Sequence, residues 1–169
     1  RKTSDPLFFD ELTEKFEAAQ HDTKALKKLR GELAELRLLD PACGCGNFLV
    51  VAYRDLRALE LRILLRLREL GDTSQIPLFF QRDDLAVKLE HMAGIEVEEW
   101  PARIASTALR LVDHQANMQM ELALGKAPDT LPLDTITVIH VGNALRMDWN
   151  EIVPESDATI IMGNPPFIG

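Results

Sequence analysis

Leu38-Leu39-Asp40-Pro41-Ala42-Cys43-Gly44-Cys45-Gly46-Asn47-Phe48 reads as a short strand, a glycine loop and the first turn of a helix. The run from Leu36 is mostly apolar until it reaches its acid, as suits a buried strand that ends at a polar edge. Gly44 and Gly46 let backbone approach a ligand with no Cβ in the way, and the helix start beyond them offers free amide donors. A dinucleotide fingerprint wants a third glycine where Leu49 stands and an acid about twenty residues on, and Glu96 comes far too late for that. A phosphate loop would need Gly-Lys-Ser/Thr, which does not follow. The competing reading is a tight strand–helix turn with no ligand. Asp40-Pro41 and Asn47-Phe48 add polar and apolar features that a plain turn does not need.

The helix after this loop is expected from Asn47 to Leu70, with Leu49, Ala52, Leu56, Leu59, Ile63, Leu67 and Leu70 as its buried stripe. Gly71-Asp72-Thr73-Ser74 closes it. Upstream, Phe8, Phe9, Leu12, Phe16 and Ala19 recur at helical spacing over residues 6–20. Asp22-Thr23 then caps a second helix that turns Leu26, Leu29, Leu33 and Leu36 inward. Residues 75–90 read as a loop with a short helix. His91 to Val97 is a second strand, and Glu98 to Leu122 a long helix with Pro101 tolerated in its first turn. Gly125 to Asp134 is a linker. Thr135 to Val141, rich in β-branched residues, is a third strand. Arg146 to Ser156 is a loop, and Ala158 to Met162 a fourth strand.

Strands alternating with long helices imply an α/β fold with a parallel sheet and right-handed crossovers. Ligands of such sheets sit beyond the carboxyl ends of the strands. Four segments fall there: Asp40 to Phe48, Glu96-Val97, Gly142 to Leu145, and Asn164 to Phe167. Their convergence on one edge is the central expectation.

Composition sets limits on that picture. At 169 residues the chain is expected to form one domain with a real core. No apolar run approaches membrane-spanning length, and no signal-peptide pattern opens the sequence, so we expect a cytoplasmic protein that does not engage a membrane. Cys43 and Cys45 are the two cysteines, one residue apart, which makes no disulfide framework and points to a reducing compartment. Nineteen basic against 27 acidic residues give a net charge of −8. A segment that grips DNA backbone by itself is usually basic. If the protein acts on double-stranded DNA, most phosphate contacts must come from regions absent here. The start at Arg1 suggests a piece of something longer.

Chemistry concentrates at the strand ends. Glu96 could accept two hydrogen bonds from vicinal ribose hydroxyls; it could also be a solvated helix-start acid, a role that suits Glu98 and Glu99 better. Asn143 can donate and accept at an adenine edge, with Ala144 beside the ring, or can simply sit in a turn. In Gly163-Asn164-Pro165-Pro166-Phe167 the prolines fix φ and push Asn164 out of the helical region. The Asn164 side-chain oxygen and the Pro165 carbonyl could then point to one spot. Two acceptors holding both N–H groups of a ring amine would free its lone pair for attack on a methyl group bound to sulfur. Phe167 would stack on the ring. The plain alternative is a turn with a buried Phe. One residue between Cys43 and Cys45 is not a usual zinc pair, so no metal site is expected. His114 and His140 have no evident partner, and neither is assigned a role.

These residues in this order resemble the S-adenosylmethionine-dependent amino-methyltransferases of DNA, the adenine-N6 group above all. The nearest likeness is to the methyltransferase part of fused restriction–modification enzymes, the MmeI-like family. Leu38 to Tyr53, Ala93 to His114, Val141 to Trp149 and Ile160 to Gly169 carry it. The resemblance implies a Rossmann-like class I methyltransferase fold, with residues 1–35 a helical segment and 36–169 a partial catalytic domain. Later strands and a target-recognition domain would lie outside this sequence. It implies that Asp40, Pro41, Ala42, Cys43, Gly44, Gly46, Asn47 and Phe48 surround the methionine part of the cofactor, with Asp40 on its amino group. Glu96 would hold the ribose, Val97 the adenine ring, and Asn143 with Ala144 the adenine edge; many relatives carry Asp where Asn143 stands. Asn164, Pro165, Pro166 and Phe167 would hold an adenine flipped from the duplex.

Other acceptors remain open on chemistry alone: cytosine N4, RNA adenine and a protein glutamine share the same lone-pair problem. The glycine loop resembles the DNA enzymes more. The 169 residues alone are expected to bind cofactor weakly, if at all, and not to methylate DNA.

Overall fold

A computed structural model describes residues 7–128, 138–153 and 159–163. Four strands form one parallel sheet in the order β3-β2-β1-β4, with β1 over Arg37–Asp40, β2 over Met92–Glu96, β3 over Ile139–Val141 and β4 over Thr159–Ile161. The register pairs Leu38 with Met92 and with Ile160, and Ile95 with His140. The order reverses at β1: the chain runs outward through β2 and β3, then returns to the other side of β1. That switch is where an open α/β sheet leaves a crevice at its carboxyl end.

Helices α3 (Asn47–Glu69) and α4 (Glu99–Leu124) make the crossovers and pack against each other. The expected stripe of α3 is buried from Leu49 through Leu67. Two earlier helices, α1 (Leu7–Ala19) and α2 (Thr23–Glu35), lie over α3. Their Leu12, Phe16, Leu26, Leu29 and Leu33 join one apolar cluster with Leu38 of β1 and Leu49, Leu56 and Ile63 of α3. The α2 cap is the expected one: Asp22 accepts from the Lys24 and Ala25 amides at 2.8 and 3.1 Å. The opposite face of the sheet is covered by the loop after β3, where Val153, Met147, Trp149 and Ile152 pack on Leu39, Ala93 and Ile95.

Several boundaries move. Leu36 caps α2 rather than opening β1, and His91 ends a 3-10 turn, so β2 begins at Met92. Val97 lies one residue past β2, and α4 runs on to Leu124. The start of the expected third strand, 135–137, lies outside the described residues, as does most of the linker before it.

The stretch 75–91 resolves into two 3-10 turns, Arg82–Asp84 and Leu89–His91, held by buried charge rather than by periodicity. Glu60 of α3 is fully buried and accepts from the Ala86 and Val87 amides at 2.7 and 3.1 Å and from Arg30 at 2.9 Å. Beside it, buried Arg57 donates to Asp113 of α4 at 2.9 Å and to Asn117 at 2.7 Å, while Tyr53 donates to the same Asp113 oxygen. Each charge has a partner, which is the condition under which buried charge is tolerated. No helix among the described residues is long and apolar enough to cross a membrane.

Candidate functional site at the carboxyl end of the sheet

The loop after β1 takes its shape from two glycines. Gly44 and Gly46 both have left-handed backbone, with φ of 54° and 79°. Gly46 caps α3, and a Cβ on it would stand 2.8 Å from the Cβ of Ala105 in α4. Gly44 differs: nothing lies within 4 Å of where its Cβ would be. One glycine closes helix packing, and the other leaves open room above the loop. The loop is tied down by the Cys43 amide donating to the Ile95 carbonyl at 3.0 Å and by the Gly46 amide donating to the Cys43 carbonyl at 2.8 Å.

Asp40 ends β1 with no exposed surface. Its Oδ1 accepts from the Ala42 amide at 3.1 Å, and its buried Oδ2 has no partner among the described residues. Burial raises the pKa of this carboxyl above the ordinary value, and the nearby charge of Glu96 raises it further. An oxygen so placed is an acceptor without a donor, and a ligand cation there would relieve it.

Glu96 ends β2, half-buried, and holds two strand ends together. Its Oε2 accepts from the Gly44 amide and its Oε1 from the Glu98 amide, each at 2.9 Å. Val97 beyond it is exposed. The Glu96 carbonyl accepts from the Gly142 amide at 2.8 Å, which brings the loop after β3 alongside. There Asn143 is exposed and accepts from the Leu145 amide at 3.0 Å, and Ala144 is half-buried. Cys43 is buried; desolvation, with Asp40 and Glu96 adding, pushes its thiol up to about 12, so it packs as a neutral group. Pro41, Ala42 and Phe48 are half-buried, and Asn47 is exposed at the start of α3. Among the described residues no cluster of His, Cys, Asp and Glu could hold a metal ion.

The fourth segment arrives through β4. The Met162 amide donates to the Leu39 carbonyl at 2.9 Å, which carries the pairing with β1 one residue past the strand. Gly163 follows, and a Cβ on it would stand 2.8 Å from Asp40 Oδ1. The next residue in sequence is Asn164. Asn164, Pro165, Pro166 and Phe167 lie outside the described residues. The sheet therefore brings Asp40, the glycine loop, Glu96-Val97, Asn143-Ala144 and Gly163 to one end.

Two residues at this end escaped the sequence reading. Gly163 was read only as the lead-in to Asn-Pro-Pro. Gly94, in the middle of β2, lies under the loop: a Cβ there would meet Cys43 Sγ at 2.8 Å and Ile139 Cδ1 at 2.7 Å. A glycine inside an otherwise apolar strand is the signal that could have found it.

Comparison with known proteins agrees with this geometry. Residues 16–169 match the family model described as MmeI, DNA-methyltransferase domain. DNA methyltransferase A of Bacillus subtilis is 36% identical over 99% of the chain and 19% of its own length. A putative type II restriction enzyme and methyltransferase of Methanocaldococcus jannaschii is 28% identical over 60% of the chain and 8% of its own length. The solved structure of the Type IIL restriction–modification enzyme MmeI in complex with DNA superposes with a TM-score of 0.81 at 39% identity, covering 97% of this chain and 21% of that one. The chain thus spans about a fifth of the length of these two fuller matches.

Proposed function

The chain belongs to the MmeI DNA-methyltransferase domain family, and on that premise we propose that it forms the donor side of a DNA methyltransferase in a restriction–modification protein. The donor is S-adenosylmethionine and the acceptor the N6 amine of an adenine flipped from double-stranded DNA. The observation that carries this reading is the buried Asp40 oxygen that has no partner among the described residues, beside an open glycine turn and against Gly163, the residue before Asn164 in sequence.

The residues present fit this donor. Asp40 Oδ2 offers a carboxylate oxygen to its ammonium group. The space over Gly44 admits the chain of its methionine part. Each Glu96 oxygen already accepts one backbone amide, and each keeps a second lone pair for a ribose hydroxyl. Exposed Val97 and half-buried Ala144 supply apolar surface for a purine ring. The donor, once bound, supplies an electrophilic methyl group.

On the acceptor side the chain's own residues ready the nucleophile. Asn164 through its side-chain oxygen and Pro165 through its carbonyl take the two N–H groups of the base amine, so its lone pair turns out of the ring. Phe167 stacks on the flipped base, and Pro166 holds the turn. DNA contacts come mainly from elsewhere in the complete protein, a reading that the net charge of −8 supports. The 169 residues alone bind donor weakly and do not turn over.

The test is mass analysis of DNA nucleosides, RNA nucleosides and protein peptides, each substrate treated with the complete protein and methyl-labelled donor. Label in N6-methyladenine supports the reading. Label in N4-methylcytosine, in RNA or in protein glutamine moves the acceptor and rejects it.

A further inference from the structure

Resting on the methyltransferase reading, we infer that Gly163 is a positioning residue that sets the acceptor loop against the donor site through direct contact with Asp40.

Asp40 cannot move out of the way. Its Oδ1 is held by the Ala42 amide at 3.1 Å, and the side chain is wholly buried. Glu96 bears on it as a like charge, and the Cys43 thiol lies close by. The backbone leaving β4 cannot move freely either. Met162 is bonded to Leu39 at 2.9 Å, so the chain leaves the sheet next to β1 and passes directly over its last residue. Only a residue without a side chain fits between these two constraints. A Cβ at 163 would stand 2.8 Å from Asp40 Oδ1, 3.5 Å from its Cγ and 3.7 Å from Pro41 Cδ. The first distance lies well inside van der Waals contact, and the atom met is the end of a pinned carboxylate, not of a flexible chain.

One carboxyl group therefore touches both halves of the chemistry. Its bonded oxygen bears on the backbone that introduces Asn164, and its unpartnered oxygen serves the donor cation. A methyl group at 163 must displace one of the two. β4 pairs with β1 on one side only among the described strands, so the exit of β4 is the softer partner. The acceptor loop then shifts, and the donor site is largely spared.

The test has two arms. In the complete protein, Gly163→Ala is expected to lower kcat by about 10–100-fold, the scale of a misplacement near 1 Å. The dissociation constant for S-adenosylmethionine, read by calorimetry, should change less than about threefold. In the second arm, thermal unfolding of the complete protein is followed for Gly163→Ala in three backgrounds. Asp40 and Asp40→Asn keep the bulk at 40 and should both show a lowered Tm; Asp40→Ala removes the contact and should show a clearly smaller drop, the remainder being the strain of a side chain at φ 158°. Equal penalties in all three backgrounds, or an unchanged kcat, would overturn the inference. A complete wild-type protein that neither binds the donor nor methylates would instead overturn the methyltransferase reading, and the unfolding cycle would still report on the contact.

Discussion

Glu96 Oε2 accepts the Gly44 amide at 2.9 Å, so the carboxylate that ends β2 fastens the loop that leaves β1. The two residues are 52 positions apart in sequence. On the proposed function the same carboxylate also receives the donor's ribose, which makes loop order and donor binding one property.

Glu96→Ala should therefore weaken S-adenosylmethionine binding by about 10–100-fold, because it removes charge-assisted bonding to the ribose worth about 1.5–3 kcal/mol in all. Titration calorimetry reads the loss. A dissociation constant within twofold of wild type would reject the ribose role.

Asn164→Ala should abolish methylation by the complete protein while leaving donor affinity within about threefold, since it removes an acceptor aimed at the transition state. Turnover and calorimetry on one preparation check both halves. Retained turnover would reject the role given to the Asn-Pro-Pro-Phe segment.

Glu60→Ala should cost about 3–5 kcal/mol of stability, the usual effect of removing one partner from a buried ionic group. It leaves the Ala86 and Val87 amides without their acceptor and Arg30 with only neutral acceptors, Gln75 and the Asp84 carbonyl. Denaturant unfolding measures the cost. A loss below 1 kcal/mol would show that the 75–91 stretch is held by its apolar contacts alone.

His91 gives a pH signature. Burial, with Arg37 adding to it, pushes its imidazole down to about 4 from an ordinary 6.5. The unfolded chain thus binds this proton first as pH falls, so the contribution is whole above pH 6.5 and drains away between 6.5 and about 4. Replacement by Gln should flatten the fall in Tm across that window. An unchanged slope would reject the assignment.

Much of the architecture was legible because its elements are strongly patterned. The α3 stripe from Leu49 to Leu67, the Asp22 cap and the β-branched or apolar strands each announce a period or a boundary. Convergence at the strand ends followed from the parallel topology, and the sheet places Asp40, Glu96 and Asn143 there. What was not legible depends on distant partners. No local rule says that Glu60 will hold Ala86 and Val87, or that Gly163 will lie against Asp40. Periodicity is blind to a segment held by buried charge, which is why 75–90 read only as a loop with a short helix. The Asn164 to Phe167 motif was the clearest chemistry in the sequence, and it lies outside the described residues.

The pairing of Leu38 with Ile160 joins two segments more than a hundred residues apart. A ribosome releases β1, α3, β2 and α4 long before β4 emerges. Until then one edge of β1 has no neighbour from this chain and is open to pairing with other polypeptides. The meeting of Asp40 with Gly163 thus waits on the synthesis of more than a hundred residues beyond β1, and a nascent chain stalled before residue 159 would carry the donor loop without β4.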